Sequence, residues 1–77
     1  MSEVKKTVAD LHPGETAVIA GFSDPDLANK LMEMGFLPGN AIRFNYQAPF
    51  GDPVCISLGN YDIAVRISEA KTIMVLA

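Results

Sequence analysis

Leu31-Met32-Glu33-Met34-Gly35-Phe36-Leu37-Pro38-Gly39 is the stretch in which an apolar helix stops and a strand is about to begin. Leu27, Ala28, Leu31 and Met34 recur at the three- and four-residue spacing of one helix face, and Gly35 follows where a helix takes a left-handed C′ residue. Only glycine reaches that conformation without a Cβ clash, so a β-branched residue there would cost about 1–2 kcal/mol. Pro38-Gly39 then puts proline at i+1 and glycine at i+2, the pairing of a type II turn, and the chain reverses. Phe36 and Leu37 lie in a loop too short to hide both, so at least one is expected to dock onto something, inside the domain or outside it.

On the upstream side, Ser23-Asp24-Pro25-Asp26 opens the helix, with Pro25 suited to its first position and either Asp24 or Ser23 as the cap. The helix is predicted over Pro25 to Met34. Before it, Glu15 to Phe22 reads as a strand through Val18-Ile19, with Gly21 as a bulge or an end. Val8-Ala9-Asp10-Leu11 reads as a brief helical turn leading into a second proline-glycine turn, His12-Pro13-Gly14-Glu15.

On the downstream side, Ala41 to Gln47 alternates with period two, which predicts Ile42, Phe44 and Tyr46 on one face and Arg43, Asn45 and Gln47 on the other. Ala48-Pro49-Phe50-Gly51-Asp52-Pro53 interrupts the strand and leaves Phe50 as the one large apolar group at its tip. Val54 to Leu58 and Tyr61 to Ile67 are joined by Gly59-Asn60, a two-residue hairpin. The register follows: Leu58 faces Tyr61, Ile56 faces Ile63 and Val54 faces Val65, because a slip of one residue would mix the two faces. Ser68-Glu69-Ala70-Lys71 is expected to be one helical turn capped by Ser68, and Thr72 to Leu76 a last strand.

About five short strands with one helix inserted between the first and second predict a mainly β fold, a small SH3-like barrel. An OB-fold is the rival, but it carries its helix between the third and fourth strands. The 77 residues make one domain, with its core over about 8–76. A composition that is 49% hydrophobic and 19% charged, with Cys55 the sole cysteine, excludes disorder and a disulfide framework, so packing must supply the stability.

Residues 1–10 hold no apolar run of signal-peptide length, and no stretch approaches the roughly 18 apolar residues of a membrane span, so the expected location is cytoplasmic, without membrane insertion. A net charge of −3 and the lack of lysine-arginine clusters weigh against binding to a phosphate backbone, so no nucleic-acid partner is expected. His12 reads as a solvated turn residue and Cys55 as a structural thiol. With Met32 and Met34 they show no metal-ligand spacing, so no metal site and no cofactor is expected. The proline-glycine pairs do not resemble a phosphate-cradling loop, and nothing forms a catalytic constellation, so no enzyme is expected. What remains is Phe36, Leu37 and Phe50 in loops, either folded back over the barrel ends or offered to a partner.

Three strings in order resemble the FeoA family of small ferrous iron transport A proteins: Leu31 to Gly39 (L-x-x-M-G-h-x-P-G, h apolar), Ala48 to Pro53 (A-P-x-G-D-P) and Ala64 to Ala70 (A-h-R-x-x-E-A). The resemblance runs over about Leu11 to Val75. It implies an SH3-like barrel and a non-enzymatic, cytosolic accessory role in bacterial ferrous iron uptake. The implied partner is the cytosolic part of a GTPase-bearing, FeoB-type membrane transporter.

On that footing Met32, Phe36, Leu37 and Phe50 are the candidate partner contacts, at the helix end and neighbouring loops. Gly35, Pro38, Gly39, Gly51, Asp52, Pro53 and Gly59 form the structural motif, and Arg66 and Glu69 are expected to hold the last turn of the barrel. The alternatives are a module acting on an iron-dependent transcription regulator, and a weak iron-binding protein using Met32, Cys55 and His12. Self-association stays open at this level.

Overall fold

The computed structural model describes residues 6–76; the polar start read over residues 1–5, and residue 77, lie outside the described residues. In chain order the elements are β1 (Lys6–Thr7), a 3-10 turn (Val8–Asp10), β2 (Thr16–Phe22), α1 (Pro25–Glu33), β3 (Ala41–Gln47), β4 (Val54–Leu58), β5 (Tyr61–Val65), α2 (Ile67–Ala70) and β6 (Ile73–Leu76). The strands form one antiparallel sheet in the order β1-β6-β2-β3-β4-β5, a mainly β, SH3-like architecture.

The sheet has one strand more than the sequence predicts. Lys6 and Thr7 pair with Val75 and Met74, so α1 falls between the second and third strands of the finished sheet. Two residues carry no alternation to read, and their pairing partner is supplied by the far end of the chain.

Asp24, of the two candidate caps, starts α1: its Oδ1 accepts from the N–H groups of Asp26 at 2.9 Å and Leu27 at 3.4 Å. At the other end Phe36 donates its N–H to the Leu31 carbonyl and Gly35 donates to Met32, both at 3.0 Å, while Gly35 adopts φ +112°. These two bonds define a Schellman motif, which satisfies carbonyls that the helix end would otherwise leave unpaired. Gly39 at φ +92° and the Asn40 N–H to Leu37 carbonyl bond close the turn that follows.

The hairpin forms in the register predicted, Leu58 with Tyr61, Ile56 with Ile63 and Val54 with Val65. β3 departs from its expected alternation. Phe44 pairs with Ile56, yet Tyr46 pairs with Cys55, so one extra residue is accommodated between them. This bulge turns Tyr46 off the core face and leaves it 60% exposed. β2 carries the other irregularity, between Ile19 and Gly21, where the sequence predicts a bulge or an end.

α2 begins one residue earlier than expected, and Ser68 is not its cap. The Ile67 N–H donates to Asp52 Oδ1 at 2.9 Å, and the Arg66 N–H donates to Glu69 Oε1 at 3.2 Å. The acceptor for the helix start therefore comes from the β3–β4 loop, 15 residues upstream. The core these elements enclose includes Val8, Ile19, Leu31, Phe36, Val54, Ile56, Val65 and Ile73. Each such side chain contributes about 1.5–3 kcal/mol by leaving water.

Candidate functional site

The helix end and the turn after it sort their two large side chains cleanly. Phe36 is fully buried and Leu37 is 44% exposed. The Schellman bonds direct the chain back at Phe36, which packs in the cluster that also holds Leu31. Phe36 is thus a core residue and offers nothing to a partner, which corrects its reading as a contact. Met32 is half-buried on α1, while Phe50 is 99% exposed at the tip of its loop.

Leu37 lines an apolar groove of about 520 Å³ together with Gly35, Gly39, Ala41, Leu58 and Tyr61. Tyr61 closes one side, and its hydroxyl donates to the Met34 carbonyl at 2.9 Å, so the hairpin is tied to the end of α1. The turn itself is clamped onto β2, since Gly39 donates to the Ile19 carbonyl and Ile19 to that of Asn40. Val18, beside Ile19, pairs across the sheet with Leu76 and with Ala41; Val18 and Leu76 are 39% and 67% exposed. Leu37, Tyr61, Val18 and Leu76 therefore concentrate exposed apolar surface at this end of the molecule, more than isolated surface residues would. Sequence reading missed Tyr61 because the hairpin alternation assigns it to the core face, and missed Leu76 because nothing local marks which face of the last strand turns to solvent.

Phe50 does not join this surface. Its loop precedes β4 and the Gly59-Asn60 turn follows β4, so a five-residue strand, about 17 Å, separates the two ends. The loop around Phe50 is held from within: Gln47 Nε2 donates to the Gly51 carbonyl at 2.8 Å, Gly51 adopts φ +93°, and the Asp52-Pro53 peptide is cis. This loop end also delivers Asp52 to α2, which gives the residues around it a structural task.

A second, charged cleft of about 430 Å³ runs between α1 and β5, lined by Lys30, Met34, Asp52, Ala64, Arg66 and Glu69. Lys30 Nζ lies 2.6 Å from Glu69 Oε2, joining α1 to α2. The Lys30 ammonium first, and the Arg66 N–H after it, hold the Glu69 carboxyl below its ordinary value of 4.5 against the opposing effect of burial. Arg66 and Glu69 thus stand where the last turn of the barrel begins. On the outer sheet face Asn45 Nδ2 donates to Ser57 Oγ at 2.7 Å, and Ser57 Oγ donates to Asp62 Oδ1 at 2.6 Å.

The residues weighed as iron ligands stand apart on different elements, His12 in the turn before β2, Met32 on α1 and Cys55 on β4. Among the described residues no three or more histidine, cysteine, aspartate or glutamate side chains gather as a metal site. Among the same residues no helix is long and apolar enough to cross a membrane.

Fold and surface together define a small SH3-like β-barrel domain with an apolar end and a charged flank. A family model described as the FeoA domain matches residues 6–77, and the chain belongs to the FeoA family. The chain is 33% identical over 69 residues to an Fe(2+) transport protein A/Fe(2+) transporter FeoB fusion protein of Porphyromonas gingivalis. That match covers 88% of this chain and only 8% of the fusion protein's length. An FeoA-like protein from Clostridium acetobutylicum superimposes with a TM-score of 0.87 at 28% identity, covering 99% of this chain and 88% of the other. The FeoA of Stenotrophomonas maltophilia, solved with zinc and described as an SH3 domain protein, gives 0.78 at 30% identity over 92% and 89%.

Proposed function

We propose that this domain is a non-enzymatic, cytosolic accessory module of ferrous iron uptake that binds the cytosolic part of a FeoB-type, GTPase-bearing transporter and supports or regulates its activity. The observation that carries this reading is the fusion in Porphyromonas gingivalis, where a FeoA part and a FeoB transporter share one polypeptide. Covalent linkage raises the effective concentration of two modules for one another, an advantage only where they work together. The apolar end supplies the means. Leu37 and Tyr61 border an open groove on a rigid frame, and Leu37 is the first contact of the interface, with Phe50 and Met32 engaging at the far end and along α1.

The test is titration calorimetry of this protein against the purified cytosolic region of a FeoB-type transporter. Leu37→Asp and Phe50→Asp each leave a cooperative melt and weaken binding by about tenfold, the cost of one well-placed apolar contact. Phe36→Asp, by contrast, abolishes the cooperative melt, because it places a charge in the core. Wild-type affinity in both exposed variants removes these loops from the interface. Absence of binding by the parent protein overturns the reading.

A further inference from the structure

We propose that Tyr61 is a positioning residue: its hydroxyl latches the tip of the β4–β5 hairpin against the Leu37 turn and fixes the groove between them in the shape that the partner meets. That the partner is the transporter's cytosolic region rests on the function proposed for the domain; the latch rests on how the groove is built. Its walls come from separate parts of the chain, the turn from Gly35 to Ala41 on one side and the hairpin tip at Leu58, Gly59 and Tyr61 on the other. β3 and β4 pair only as far as Arg43 with Ser57. The Phe44 N–H donates to Glu15 and its carbonyl accepts from Gly14, both before or at the start of β2, so by alternation the N–H and C=O of Ala41 point toward β4. The next pair would be Ala41 with Gly59, and among the described residues no backbone bond joins them. The walls therefore part where the groove begins.

The two walls are held unequally. The Leu37 wall is clamped to β2, since Gly39 donates to the Ile19 carbonyl at 2.8 Å and Ile19 to that of Asn40 at 3.0 Å, and Phe36 anchors it in the core. The hairpin tip has no such clamp. β5 is the last strand of the sheet and pairs with β4 alone, and beyond Ser57 β4 has no partner in β3. Among the described residues a single hydrogen bond joins the tip to the end of α1 and the turn after it, from Tyr61 Oη to the Met34 carbonyl at 2.9 Å. Gly35 has no side chain to stand between the two groups. Without that bond the tip is free to swing and the groove has no fixed width. A partner that must order the tip as it binds loses affinity by the cost of that ordering, so the latch acts on binding through Leu37 by preorganisation.

Two measurements on Tyr61→Phe test this: relaxation dispersion on the isotope-labelled full chain, and calorimetry against the purified cytosolic region of a FeoB-type transporter. Both are made well below the melting temperature of each protein, so that a loss of stability alone moves neither readout. Tyr46→Phe, which removes a hydroxyl from the exposed residue beside the β3 bulge, is the control. In free Tyr61→Phe the amides of Leu58, Gly59 and Asn60 gain microsecond-to-millisecond exchange that is absent from the parent and from the control. Binding by Tyr61→Phe weakens about fivefold, and the exchange is quenched in the complex. Unchanged relaxation at the tip overturns the latch; weaker binding without exchange shows instead that Tyr61 touches the partner. Exchange at the tip with parental affinity overturns the positioning role. Each of these results leaves the transporter reading intact. Absence of binding by the parent protein removes that reading and the positioning role with it, whatever the tip does.

Discussion

Gly35 lacks a side chain for two separate reasons. Its φ of +112° is one that residues bearing a Cβ rarely adopt, and a Cβ built there would collide with the Tyr61 hydroxyl. The first reason is legible in the helix-to-turn pattern; the second is not, because Tyr61 arrives from a hairpin 26 residues downstream. The two reasons can be separated by experiment. Gly35→Ala destabilises the domain by about 1–2 kcal/mol through the backbone alone, with the clash in addition. Tyr61→Phe costs about 0.5–1.5 kcal/mol by losing its bond to the Met34 carbonyl. The double variant is more stable than the sum of the two costs allows, because removing the hydroxyl leaves the ring carbon at 3.5 Å, an ordinary contact. Thermal melts of the four proteins read this coupling, and strict additivity would show that Tyr61 does not approach Gly35.

At the scale of elements, the two helices begin by different means. α1 is capped from within, by Asp24 immediately before Pro25, and so its start is written in four consecutive residues. α2 is one turn long and takes its acceptor from Asp52, in a different loop. A helix this short cannot hold itself, since nucleation is unfavourable without outside contacts. Asp52→Ala is expected to lower stability by about 0.5–2 kcal/mol, the cost of a lost cap, whereas Ser68→Ala changes the melting temperature little. Equal losses in the two variants would restore Ser68 as the cap. The bulge in β3 belongs to the same scale: Phe44 and Tyr46 are spaced for one face, and only the partner strand shows that an extra residue lies between them.

Across the whole molecule, Lys30 and Glu69 join elements 39 residues apart, and the bond makes global stability depend on pH. The Glu69 carboxyl is held below 4.5 in the fold, chiefly by Lys30. Its stabilisation is therefore complete above the ordinary carboxylate value and is lost as pH falls through the lower folded value. Glu15, lowered first by the His12 N–H and then by Lys6, acts in the same direction. The melting temperature is expected to fall as pH drops below 4.5, and Glu69→Gln flattens that slope while lowering the melting temperature at neutral pH. An unchanged slope in the variant would show that the Lys30 contact contributes nothing to folding. The candidate site also belongs to this scale, since Leu37 and Phe50, equal in the sequence as apolar loop residues, stand at opposite ends of β4.

The order of amino acids by itself determined the turns at Pro13-Gly14 and Pro38-Gly39, the ends of α1, the hairpin register and hence the SH3-like class. Each of these is a matter of allowed backbone angles or period-two burial among near neighbours, and the family strings lie on the same segments. Only the tertiary structure decided that Phe36 enters the core while Leu37 remains outside, that β1 pairs with β6, that Tyr46 turns outward and that Asp52 caps α2. The physical reason is common to all four. Each depends on which distant group arrives to fill a volume or accept a hydrogen bond, and no local pattern encodes the arrival of a residue from elsewhere in the chain.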